Sequence, residues 1–163
     1  LQNAGEKTPF VLVGHSLGGL NMRLYSSLFP PDVVGLVLID SSHPEQYQRY
    51  ANLLNAEERE KYLRHEGGEN SESLNILASA EEVKATPSIP PMPLIVLSAE
   101  SENPDAEDIL YMKDNQEMRD DLVRLSPKGR LIIVKGSHFI QEEHPDVVIE
   151  ALKSIYETSK KPD

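Results

Sequence analysis

The stretch Phe10-Val11-Leu12-Val13-Gly14-His15-Ser16-Leu17-Gly18-Gly19 decides how the rest of the chain is read. Four consecutive apolar residues run straight into Gly-x-Ser-x-Gly. An apolar run without polar alternation fits a strand covered on both faces, as in a parallel sheet. From Leu17 to Phe29 the period changes: Leu17, Leu20, Leu24 and Leu28 recur at helical spacing, and Pro30-Pro31 ends the pattern. A serine at a strand-to-helix junction this tight has a strained backbone, and glycines two before and two after it are expected to remove side chains that would collide. Ser16 Oγ is then presented at the carboxyl end of the strand. It also sits at a helix N-terminus, where the Leu17 N–H and the helix dipole favour developing negative charge.

Working outward, Val33–Ile39, Leu94–Leu97 and Leu131–Val134 are three further apolar runs of the same kind. Ile109, Met112, Met118, Leu122 and Leu125 predict a helix closed by Ser126-Pro127. Pro145 suits a first helical turn, with Val148, Ala151, Leu152 and Ile155 on one face. Strand–helix alternation predicts a three-layer α/β fold with about four parallel strands. Residues 44–90 break the rhythm. Glu45–Arg64 reads as one helix ended by Gly67-Gly68, a second helical piece spans Ser73–Lys84, and Pro87, Pro90, Pro91 and Pro93 lead back to a strand. The expected division is a core of residues 1–43 and 91–163, with 44–90 as a helical insertion, either a lid or an elaborated crossover.

At 163 residues the chain suits one domain that can bury a core. The absence of cysteine excludes a disulfide scaffold, a thiolate zinc site and a cysteine nucleophile. A net charge of −11 makes nucleic acid an unsuitable partner. Between residues 100 and 121 nine carboxylates face Lys113 and Arg119 alone, which reads as a solvated helix face. No apolar run approaches the ~18 residues of a membrane span, and the first ten residues lack the basic start and apolar stretch of a signal peptide. No metal or organic cofactor is implied.

A serine hydroxyl needs a base. Of five histidines, His15 adjoins Ser16 and is expected to pack beside the turn, His43 and His65 fall in or near the insertion, and His144 precedes a helix-starting proline. His138 stands four residues past Val134. The loop after the fourth strand opens on the same sheet edge as Ser16, where catalytic groups gather in open α/β sheets. A carboxylate must then orient the imidazole. Asp40, directly after the second strand, and Glu102, in the looser acidic loop after the third, compete for that role; Glu100 or Asp105 could replace Glu102.

These residues resemble the α/β-hydrolase superfamily: Gly14-His15-Ser16-Leu17-Gly18-Gly19 resembles its nucleophile elbow, Gly136-Ser137-His138-Phe139 its histidine loop, and His144-Pro145-Asp146-Val147-Val148 the start of its last helix. The order Ser, acid, His is the family's order. The stretch VVGLVLIDSSHPEQ is similar to a serine esterase-like branch in which the acid follows the sixth strand, which implies Asp40; the commoner position after the seventh implies Glu102. The elbow in that family follows the fifth strand. Here it arrives at residue 14, so the chain reads as the C-terminal half of the fold with a helical lid. About 80–110 upstream residues are expected to be missing, at roughly 20–30 per βα unit.

The resemblance implies a serine hydrolase acting on a small-molecule ester or related acyl bond through Ser16, His138 and Asp40, with the Leu17 N–H on the oxyanion. Tyr47, Tyr50 and Tyr62 would cover the acyl pocket. An acyltransferase on the same fold would read identically. A non-catalytic binding module, or an inactive fragment, is the alternative from a different class. Taken alone, the 163 residues are expected to leave the strand Phe10–Val13 at an open edge, to associate, and to hydrolyse esters poorly.

Overall fold

The computed structural model describes residues 5–67, 75–86 and 88–159. Four strands form one parallel sheet in the order β1-β2-β3-β4: β1 (Phe10–His15), β2 (Val33–Ile39), β3 (Leu94–Glu100) and β4 (Gly129–Lys135). Spatial order follows chain order, so each strand pairs with the next in sequence. Val13, Val37, Ile95 and Arg130 lie in one row across the pleat, which carries all four strand ends to a common edge.

Helix α1 (Leu17–Leu28) follows β1, and a 3-10 turn at Pro30–Asp32 delivers the chain into β2. Proline at the start of that turn supplies its fixed φ and cannot continue α1. Helices α5 (Ala106–Arg124), α6 (Ile140–Glu143) and α7 (Pro145–Ser159) complete the core. Asp105 caps α5, accepting from Glu107 N and Asp108 N at 2.8 Å each, while Asp108 returns the bond to Asp105 N.

The pleat divides the core into two layers. On one face Leu12, Leu36, Leu38, Leu94 and Val96 pack with Leu122 of α5 and, at the periphery, Met22 and Tyr25 of α1. On the other, Val37, Ile39, Ile95 and Leu97 pack with Ala151 and Ile155 of α7 and Ile140 of α6. β2 and β3 are thus buried on both sides, as their unbroken apolar runs require. The two edge strands depart from that expectation. Val13 of β1 and Ile132 and Ile133 of β4 remain 37–40% exposed, because an edge strand has one neighbour and the covering helices lie over the middle of the sheet.

Between β2 and β3 lie α2 (Gln46–Leu53), α3 (Ala56–Gly67) and α4 (Ile76–Ala85). The single helix expected over Glu45–Arg64 is two. Asn55 breaks it: its Oδ1 accepts from Glu57 N and Glu58 N at 3.1 and 3.0 Å, and Glu58 reaches back to Asn55 N. This is an N-cap with its reciprocal bond, competing successfully with helix continuation. The expected stop at Gly68 and start at Ser73 lie outside the described residues, as does Pro87. Among the described residues no helix is long and apolar enough to cross a membrane.

Candidate active site

Ser16 is the residue between β1 and α1, with φ 53° and ψ −126°. A side chain in this region costs about 1–3 kcal/mol, so the surroundings must enforce it. They do so through the backbone: Ser16 N–H donates to Ile39 O at 3.1 Å, and Ser16 O accepts from Gly19 N at 3.0 Å and Ser42 N at 3.1 Å. The glycines act differently from the expected symmetric pair. A Cβ on Gly14 would lie 2.6–2.7 Å from backbone atoms of Gly18 and Gly19. A Cβ on Gly19 would lie 1.9 Å from Ser41 Oγ, whereas one on Gly18 meets nothing within 4 Å. The tight contacts therefore fall at the first glycine of the motif and at the residue after its last one. Leu17 is the first residue of α1, so its N–H belongs to the turn that lacks intrahelical acceptors.

Asp40 follows β2 directly and also has a positive φ, 37°. Its N–H is held by Leu97 O at 2.8 Å. Oδ1 accepts from Ala99 N at 2.9 Å and Ser98 Oγ at 3.3 Å, both at the end of β3. Oδ2 lies 2.7 Å from His138 Nδ1. A carboxylate only accepts, so Nδ1 carries a proton, and in the neutral ring this tautomer leaves the lone pair on Nε2. The competing carboxylates are placed elsewhere: Glu100 pairs with Lys135, Asp105 caps α5, and Glu102 is exposed on the rim of the cleft. The pairing with Lys135 holds the Glu100 carboxyl below its ordinary range.

β1 and β4 are opposite edges of the described sheet, three strand spacings or roughly 14 Å apart. The loop after β4 crosses that distance. Gly136 N–H donates to Glu100 O at 3.2 Å above β3, His138 then meets Asp40 above β2, and His15 Nε2–H donates to His138 O at 3.0 Å from the end of β1. The rings of His15 and His138 are 4.5 Å apart, and Phe139 closes the group at 5.7 and 5.5 Å from them. Glu143 of α6 fixes the far side of the loop, accepting from Ser137 N at 2.9 Å and Ser137 Oγ at 2.7 Å. The bond from Ser137 N lowers the Glu143 carboxyl pKa. Sequence reasoning set His15 aside as packing and passed over Ser98, Ala99 and Glu143.

Ser16, Asp40 and His138 line one cleft of about 1030 Å³. Ser16 Oγ and His138 make no direct hydrogen bond; such contacts commonly tighten only when substrate enters. From α2, Tyr47 and Tyr50 reach the cleft, while Tyr62 of α3 stands behind Tyr47 with ring centroids 6.4 Å apart. Tyr50 donates to Asn115 Oδ1 and stacks on Tyr111 at 3.9 Å. Burial, then the Asp40 charge, push its hydroxyl pKa up, so it remains a donor. Arg119 donates to Ala99 O at 2.5 Å, steadying the backbone that holds Asp40. Among the described residues no group of three or more His, Asp or Glu converges to hold a metal.

A model of the alpha/beta hydrolase family matches residues 1–151. A thermophilic esterase from Thermogutta terrifontis, with malate bound, has a TM-score of 0.57 at 18% identity, over 98% of this chain and 69% of its own. E-2-(acetamidomethylene)succinate hydrolase gives 0.53 at 17%, over 96% and 69%. Est816, described as an N-acyl homoserine lactone degrading enzyme, gives 0.51 at 18%, over 93% and 69%. No curated protein matches the sequence. At these identities the likeness establishes the fold alone.

Proposed function

The chain belongs to the alpha/beta hydrolase family, and from that premise we propose that it is a serine hydrolase that cleaves a carboxylic ester or related acyl bond of a small molecule. The observation that carries the reading is the 2.7 Å contact between Asp40 Oδ2 and His138 Nδ1, on the cleft that Ser16 opens into. Ser16 Oγ attacks the acyl carbon and passes its proton to His138 Nε2. The carbonyl electron pair moves onto oxygen, which the Leu17 N–H meets at the head of α1. Collapse expels the alcohol, which takes the proton from Nε2 and leaves an ester on Ser16. Water attacks that ester, giving its proton to Nε2; the acid departs and Ser16 Oγ recovers the proton. Asp40 holds the tautomer and stabilises the imidazolium at each stage. Residues 44–90 act as a cover, with Tyr47 and Tyr50 facing the acyl group.

A fluorophosphonate probe tests this. The expected result is one adduct per chain at Ser16, none in Ser16→Ala, and turnover of p-nitrophenyl esters that Ser16→Ala and His138→Ala each reduce by about 10⁴–10⁶ in kcat. Labelling elsewhere, or more than a tenth of the activity remaining in either variant, would sink the assignment.

A further inference from the structure

His43 lines two cavities: the cleft just described and a second of about 370 Å³ bounded by α1, the loop after β2, the end of α4 and α5. Among the described residues, one charge on the wall of this second cavity has no counter-charge. Arg23, on α1 two turns beyond Ser16, lines it. The Arg23 Nη1 is fully buried with no hydrogen-bond partner. Among the described residues no carboxylate lies within ion-pair distance of its guanidinium. Burial with no compensating partner brings its pKa down to about 10, so at neutral pH it remains a cation.

The other charged groups on the wall are already engaged. Glu45 Oε2 and Asp121 Oδ2 both face Arg49 Nη2, at 2.9 and 3.6 Å, and Asp121 also pairs with Arg124. Lys84 pairs with Glu81 at 2.7 Å. His43 Nδ1 accepts from Glu45 N, which leaves the proton on Nε2; the ring is neutral, because burial, then the Arg23 charge, push its pKa down to about 4. Among the described residues one cation is therefore left over, in a cavity that also presents Val83, Ile89 and Leu125. The Arg23 guanidinium is partly buried with no carboxylate beside it among the described residues, and a planar two-oxygen anion matches the fork of a guanidinium. Glu45 and Asp121 would repel a dianion more than a monoanion. The apolar wall and the volume suit an organic tail.

We infer that this second cavity is a binding site for a small organic carboxylate, seated against the Arg23 guanidinium. The acid is either free or the acid arm of a substrate whose ester reaches Ser16 past His43. Only the second source rests on the hydrolase reading.

The test measures thermal melting and calorimetric binding of the full chain with glutarate, and with the neutral glutaramide as control. Glutarate is expected to raise Tm saturably, and glutaramide to leave it unchanged. Arg23→Met should lose the response while melting no lower than wild type, since a partly buried charge with no carboxylate beside it is gone. Should Arg23→Met not fold, Arg23→Lys carries the comparison: it keeps the charge, loses the fork, and should bind glutarate at least about tenfold more weakly. No response in wild type, or an equal response in wild type and variant, overturns the site. The source is read from monomethyl and dimethyl glutarate. A KM raised about tenfold in the variant for the half-acid ester alone assigns the substrate arm. Unchanged hydrolysis of both esters beside lost glutarate binding assigns a free acid. Failure of the hydrolase reading would show separately, in fluorophosphonate labelling, and leaves the melting result standing.

Discussion

Asp40 Oδ2 meets His138 Nδ1 at 2.7 Å across 98 residues of chain, while its Oδ1 is held by the N–H of Ala99. The carboxylate is thus gripped on one oxygen by the end of β3 and offers the other to the histidine. A group fixed in this way sets the imidazole tautomer instead of following it.

Replacing Asp40 by Asn puts an amide N–H where an acceptor is needed, so the imidazole turns its lone pair inward. With any ester that the chain turns over, Asp40→Asn should lower kcat by roughly 10³–10⁴, and Glu102→Gln should change it little. Steady-state kinetics rank the two; the reverse order would assign the orienting carboxylate to the loop after β3.

The elbow glycines should separate on stability. Gly14→Ala drives a methyl into the Gly18 and Gly19 backbone and is expected to cost about 3 kcal/mol or more. Gly18→Ala points into open space within a helix and should gain about 0.5–1 kcal/mol. Urea titrations of the two variants give the comparison directly, and equal losses would contradict it.

His15→Phe keeps a ring against His138 and Phe139 but removes the donor to His138 O. One neutral hydrogen bond is worth about 1 kcal/mol, so kcat should fall roughly fivefold with KM unchanged. A KM effect alone would mean that His15 contacts substrate and does not position the loop.

His43 gives a pH dependence with a definite sign. Its pKa is about 4 folded against the ordinary 6.5, so between those values the unfolded chain binds the extra proton and stability falls as pH falls. Each unit of separation is worth about 1.4 kcal/mol. Above pH 6.5 both states are neutral and the contribution is flat. His43→Gln should flatten the stability curve between pH 6.5 and 4. The carboxyls of Glu100 and Glu143, whose folded values are lowered from 4.5, lose their contribution as pH falls through 4.5 and below, and so overlap only the acid end of that window. Chemical denaturation at stepped pH reads the difference; identical slopes would refute it.

β2 was legible to the residue, because VVGLVLI is buried on both faces and such a strand carries no polar residue to blur its ends. β4 looked the same in sequence, yet Ile132 and Ile133 are partly exposed, since the number of neighbours of a strand is not written in its own residues. The break at Asn55 was legible and passed over: Asn-x-x-Glu is a cap signature, masked by tyrosines and leucines at continuous helical spacing. The rivalry between Asp40 and Glu102 had no local solution. It turns on Ser98 and Ala99, which reach Asp40 from 58 and 59 residues away.

The loop from β4 that lies across the strand ends has a kinetic consequence. Its anchors are Glu100 and His15, the last residues of β3 and β1, and Asp40, directly after β2. The sheet can grow strand by strand in the order of synthesis, but His138 has no site to enter until the last strand docks. Appearance of a reactive Ser16 during refolding should therefore lag the bulk of secondary structure and report the final, longest-range step. Conversely, transient peeling of β4 would disarm the site well before the chain unfolds, so deuterium uptake in β4 and loss of Ser16 reactivity should share one opening rate.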